Sequence, residues 1–184
     1  MVHLLLFCAM LFQAASPAAT KPVIDNENVS VWDVTDSAPA QPTDAIVIST
    51  TAGTATLVPK GTTPKISGRS IVIDLKDHAA PVYKNATSYQ LAFPRPGSKK
   101  IFENNRVIVW DYSWTPNVAT PMHFHDKDVV AIFLEDGDLK STTSDGQSTV
   151  TSYKPVTVKY NPGGRTHTET LVRGTEHAII TELK

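Results

Sequence analysis

The chain has 184 residues, a formal net charge of −1, 41% hydrophobic residues and 19% charged residues. This composition suits one ordinary globular domain or two small ones and excludes a disordered chain. No lysine- or arginine-rich run is present, which argues against nucleic acid as a partner, because phosphate binding needs clustered cations.

Met1 to Phe12 reads MVHLLLFCAMLF and is followed by the small residues QAASPAAT. That is the shape of a secretory signal peptide, expected as residues 1–18 with cleavage after Ala18. The apolar run is too short to span a bilayer, so an exported protein, periplasmic or secreted and free of the membrane once processed, is expected. Cys8 would leave with the signal. The mature chain would then offer neither a disulfide nor a thiolate ligand.

Beyond a lead-in at Lys21–Asn28, strand signals follow one another. They are Ala45–Thr50, Thr54–Val58, Ser70–Leu75, Arg106–Trp114, Val129–Leu134, Thr149–Tyr153, Val156–Tyr160 and Ala178–Leu183. Each is short and rich in β-branched or aromatic residues, and turn formers such as Gly61, Glu135–Asp138, Asp145-Gly146 and Pro162-Gly163-Gly164 separate them. The thirteen prolines interrupt most helical windows. The pattern predicts an all-β chain folded as a sandwich or barrel. Asn85–Asn105, with Pro94-Arg95-Pro96-Gly97 and Lys99-Lys100, reads as a loop that connects the two halves or folds across one edge, its basic cluster solvated.

Three pieces recur in the same order. Val31-Trp32-Asp33-Val34 resembles Val109-Trp110-Asp111-Tyr112, Asp44–Ile48 resembles Asp128–Ile132, and Ser70–Lys76 resembles His177–Lys184. Either chance similarity between strands or an internal repeat accounts for this. In the second case residues 19–104 form a degenerate half without metal ligands, because Ala38–Pro42 stands where the later half carries histidines; in the first they are a β-rich extension.

Those histidines lie in Thr120-Pro-Met-His-Phe-His-Asp-Lys-Asp128. Residues two apart on a strand share a face, so His123 and His125 project together. Two imidazoles on one face can bind a first-row metal if further ligands come from other strands. About forty residues later, the Pro162-Gly163-Gly164 turn leads into His167, with Glu169 two residues on. Trp110, Tyr112 and Trp114 alternate on one strand face and read as core packing rather than a pocket mouth. Arg165 is either a carboxylate holder beside the site or an exposed turn residue. His78 and His177 lack companions at ligand spacing. Asn28-Val-Ser30 and Asn85-Ala-Thr87 match the glycosylation sequon.

The histidine pair, an acid shortly after it, and the later Pro-x-Gly-x-x-His resemble the two motifs of the cupin superfamily, over roughly Arg106 to Lys184. The resemblance implies a jelly-roll barrel at residues 105–184, with His123, His125 and His167 as ligands of one divalent metal: zinc, iron, manganese, nickel or copper. This sequence departs from the pattern in two places. Val129 and Val130 stand where the pattern has a glutamate, and Leu171 stands near its asparagine. Asp128 is taken as the replacement acid, either as a ligand or as a partner to an imidazole N–H. The resemblance leaves two readings open: a mononuclear-metal enzyme of dioxygenase, isomerase or decarboxylase type, and a binding or structural protein that catalyses nothing. The remaining partners are a small-molecule ligand and a second copy of the chain.

Overall fold

The computed structural model describes residues 21–184, and the expected signal peptide and its cleavage point lie outside them. Among the described residues there are fifteen strands and no helix. In chain order they are β1 (Ile24–Asp25), β2 (Val29–Thr35), β3 (Ala45–Ser49), β4 (Thr54–Val58), β5 (Arg69–Leu75), β6 (Gln90–Leu91), β7 (Ser98–Glu103), β8 (Val107–Ser113), β9 (His123–Phe124), β10 (Val129–Phe133), β11 (Gly137–Thr143), β12 (Ser148–Tyr153), β13 (Thr157–Asn161), β14 (Thr166–Gly174) and β15 (His177–Leu183). They form three five-stranded sheets, ordered β1-β2-β5-β3-β4, β13-β10-β15-β8-β7 and β12-β11-β14-β9-β6.

Side-chain alternation explains the layering. On β10, Val129, Ala131 and Phe133 face one way and join Trp110, Tyr112, Ala178, Ile180, Leu139 and Leu171 in a core between the second and third sheets. Val130 and Ile132 face the other way. They pack with Val107, Val109, Ile179 and Leu183 against Val31, Ile46, Ile48, Ile71 and Ile73 of the first sheet. The second sheet is therefore covered on both faces. This is why β10 and β15 read as near-continuous apolar runs rather than alternating ones. The second and third sheets make an all-β, jelly-roll barrel, and the first sheet backs it.

The recurrent sequence pieces occupy matching places in two sheets. Trp32 pairs with Val72, and Trp110 pairs with Ile180. Ile46 pairs with Ile73, and Val130 pairs with Thr181. β3 and β4 form a direct hairpin, whereas β10 and β13 are separated by β11 and β12, which lie in the third sheet. The histidine-bearing sheet thus has no counterpart in the first half among the described residues.

The Asn85–Asn105 segment departs from the expected loop. β7 pairs with β8, and β6 pairs with β9, so both extend the barrel ahead of residue 105. The charges of Lys99 and Lys100 hide an edge strand whose Ile101 and Phe102 pack on the core. β11 begins inside the expected Glu135–Asp138 turn. Its only large apolar residue is Leu139, which gives too little alternation to mark a strand.

Candidate metal centre

β9 and β14 lie side by side, with His123 paired to His167. β9 ends at Phe124, and His125 follows it, held where its N–H donates to the Arg165 carbonyl (2.9 Å) and its carbonyl accepts from Gly164 N–H (2.7 Å). Gly164 and Arg165 therefore fix the backbone of His125 on both sides. All three histidines are buried, and their ligand-capable nitrogens lie within 4.8 Å of one another. Ring centroids are 4.8–5.1 Å apart. Nε2 of His125 and Nε2 of His167 face each other at 3.2 Å.

The remaining nitrogens set the tautomers. His123 Nδ1–H donates to the Pro121 carbonyl at 2.8 Å, leaving its Nε2 lone pair to accept from Arg95 Nη1 at 2.6 Å. His167 Nδ1 lies 3.3 Å from Ser141 Oγ. Buried His125 Nδ1 has no partner among the described residues. Burial first, and the Arg95 charge second, push the His123 imidazole down to about 3. Burial and Arg165 hold His125 well below its ordinary range, and burial lowers His167 despite the opposing Glu169 charge. Three neutral, converging imidazoles are the donor set a borderline first-row ion takes, and neutrality is the state in which they coordinate. The residues fit a metal, with Nε2 of His125 and His167 already facing each other and His123 Nε2 joining them once an ion replaces the Arg95 contact it now accepts.

Asp128 is placed elsewhere. It is 2% exposed. One carboxylate oxygen accepts from Asn28 Nδ2 (3.0 Å) and the Tyr160 hydroxyl, and the other accepts from Gly163 N–H (2.7 Å). It ties the lead-in strands to the turn before His167 and is not among the gathered ligand atoms. The same bonds use the Asn28 amide, so the first sequon is closed in the folded chain. Glu169 does reach the cluster, with Oε1 3.9 Å from His167 Nε2. Its Oε2 accepts from Arg95 Nη2 (2.9 Å) and from Trp114 Nε1 (3.2 Å). Burial acts to raise this carboxyl, and Arg95 outweighs it, holding Glu169 down to about 2.

Sequence reading missed Arg95. In place of a solvated loop residue there is a side chain 2% exposed, paired with Glu169, with its guanidinium 4.3 Å from the Tyr112 ring centre and 4.8 Å from that of Phe93. Gly97, at φ +88°, turns the chain back from Arg95 into β7, where a Cβ would come within 2.5 Å of the Ser113 carbonyl oxygen. The signal available in the sequence was the Pro-Arg-Pro-Gly frame, a rigid turn around one cation. Trp110 and Tyr112 pack in the core as expected, while Trp114 also lines a cavity beside the histidines. His177 bonds Asp111 (2.7 Å) and His78 bonds Asn28 (3.0 Å), both away from the site.

No family model and no curated relative matches the chain. Solved structures do. A cupin domain from Bordetella pertussis Tohama I is 26% identical over 50% of this chain and 97% of its own, with a TM-score of 0.43. A cupin-2 domain protein from Shewanella frigidimarina is 21% identical over 50% and 83%, with a TM-score of 0.38. A cupin 2 conserved barrel domain protein from Leptotrichia buccalis is 12% identical over 93% and 92%, with a TM-score of 0.48. These are what the chain is similar to; its own sheets form a jelly-roll barrel that gathers His123, His125 and His167 inside it.

Proposed function

We propose that the protein is an exported cupin that binds one divalent transition ion through His123, His125 and His167 and presents it to a small molecule. The observation that carries this reading is the pair of buried Nε2 atoms facing each other at 3.2 Å, with the third histidine beside them. Two neutral imidazole nitrogens at that distance compete for one proton, whereas a cation between them satisfies both. Three protein ligands leave coordination positions open, and an ion so held supplies Lewis acidity or an activated water. The chain's own residues contribute shape and charge. Phe133 and Tyr153 stack with centroids 3.6 Å apart along the cavity wall. Arg95 and Glu169 form a buried ion pair that orients Trp114, and the Pro121 carbonyl orients His123 through Nδ1–H.

The cavity next to the histidines favours a second reading, a mononuclear-metal enzyme. Against it, the one carboxylate at the site already accepts from Arg95 and Trp114 and is a weak base. Binding without turnover is therefore the reading we adopt. Elemental analysis of protein purified from its native compartment tests it. One equivalent of a transition metal, lost in His123→Ala with the barrel still folded, is expected. A fully folded protein without metal, and unable to take up zinc or iron, would leave a metal-free scaffold. Export is tested by N-terminal sequencing of the native protein, with a mature start near Ala19 expected and a start at Met1 contradicting it.

A further inference from the structure

The cavity beside the histidines has a volume of about 190 Å³, room for about six waters at the ~30 Å³ each takes in the liquid. Four charged side chains line it: Arg95, Lys159, Arg165 and Glu169. Arg95 and Glu169 neutralise each other at 2.9 Å. Lys159 and Arg165 have no carboxylate within 4.0 Å among the described residues. Their charges face the cavity for reasons of register. Lys159 pairs with Ala131 and Asn161 pairs with Val129, so both share the inward face of those residues. Arg165 follows the Pro162–Gly164 turn, and only its Nε is used, donating to the Pro162 carbonyl at 2.7 Å. It is half-buried rather than an exposed turn residue. An uncompensated half-buried cation is costly unless a counter-charge completes it. The aromatic part of the lining is formed by Phe93, Trp114 and the Phe133–Tyr153 stack, with Lys159 Nζ 5.5 Å from the Tyr153 ring centre.

We propose that this cavity binds a small organic carboxylate, its charged end held by Lys159 and Arg165 and its carbon body against the aromatic wall. The proposal rests on reading the cavity as the ligand chamber of the metal site, and it assigns the class of molecule admitted there. An inorganic anion would satisfy the two cations and leave the aromatic wall uncovered. A neutral molecule of the same shape would leave both charges unanswered.

Calorimetric titration of the full chain, before and after zinc loading, with benzoate, succinate, benzamide, succinamide and phosphate tests it. At least one carboxylate is expected to bind metal-free protein about ten-fold or more tighter than its amide, the scale of one charge-assisted hydrogen bond. It should also bind tighter than phosphate. Arg165→Gln and Lys159→Gln are each expected to remove most of that preference, and the acid–amide comparison needs no variant to fold. Zinc that fails to load while carboxylate preference persists would count against the metal reading and support this one. Zinc that loads onto three histidines with no carboxylate preferred over its amide overturns this proposal and leaves the metal reading standing. Carboxylate binding unchanged in both variants overturns it as well.

Discussion

Glu176, in the turn between β14 and β15, supplies a sharp test of the packing far from the histidines. It is 2% exposed, and neither carboxylate oxygen makes a full hydrogen bond among the described residues. It lies against Gly137, where a Cβ would come within 2.9 Å of its Oε2. Burial pushes this carboxyl up to about 7, the nearby amides of Glu135 and His177 moderating the effect. Below the ordinary glutamate value of 4.5 the proton is held in both the folded and unfolded states. Between 4.5 and about 7 the unfolded chain releases it while the folded chain keeps it, so stability falls as pH rises. Above 7 both states are ionised and the loss is complete. At about 1.4 kcal/mol per pH unit, the span corresponds to roughly 3 kcal/mol at most, and on the order of 2 kcal/mol after local relaxation. Glu176→Gln removes the titration. Urea denaturation of both proteins from pH 4.5 to 8.5 should show the variant gaining on the wild type by about that amount up to pH 7.5, then holding level. The amide's own burial offsets the curve equally at every pH, so only the slope matters. A stability difference independent of pH would refute the burial of an unpartnered carboxyl.

Three further outcomes follow from the site. Asp128→Ala removes the acceptor for Asn28, Tyr160 and Gly163 and should cost about 1–3 kcal/mol in thermal unfolding while leaving metal content unchanged. Loss of metal at full stability would make Asp128 a ligand. Gly163→Ala puts a Cβ into the Tyr83 ring and 3.0 Å from the Lys127 carbonyl carbon. It should loosen the turn before His167 at a cost of roughly 1–3 kcal/mol, with weaker zinc uptake, and unchanged stability and uptake would contradict the packing. Because burial holds His123 down to about 3 and lowers its two neighbours, the acid fall in zinc affinity measured by competition should set in below the ordinary histidine value of 6.5. A fall near the ordinary 6.5 would contradict it. The same depressed values give stability that is present above 6.5 and is lost as pH falls toward 3.

What the sequence could tell depended on how much of each signal was local. His123 and His125 declare themselves by two-residue spacing, and His167 by a proline-glycine turn, because both features depend on neighbouring backbone alone. β10 and β15 were visible because two-sided burial makes them continuously apolar. β7 was not, since a bulge between Lys100 and Phe102 breaks its alternation and only Ile101 and Phe102 pack on the core beside two exposed lysines. Arg95 shows only its turn locally, for a different reason: its partners Glu169 and His123 lie 74 and 28 residues away, and only closure of the barrel brings them together. Asp128 shows the reverse error. Its position beside the histidine motif suggested a ligand, while its carboxylate is used by residues 100, 32 and 35 positions distant.

The central claim is that one metal ion is shared by His123, His125 and His167. Anomalous diffraction from crystals of the full chain grown with zinc, recorded at the zinc edge, tests it most directly. The account predicts one strong peak inside the barrel, bonded to one nitrogen of each of the three rings, with Asp128 still engaged by Asn28, Tyr160 and Gly163. A barrel with no internal peak, or a peak bound to other residues while the three rings keep their present contacts, would contradict it.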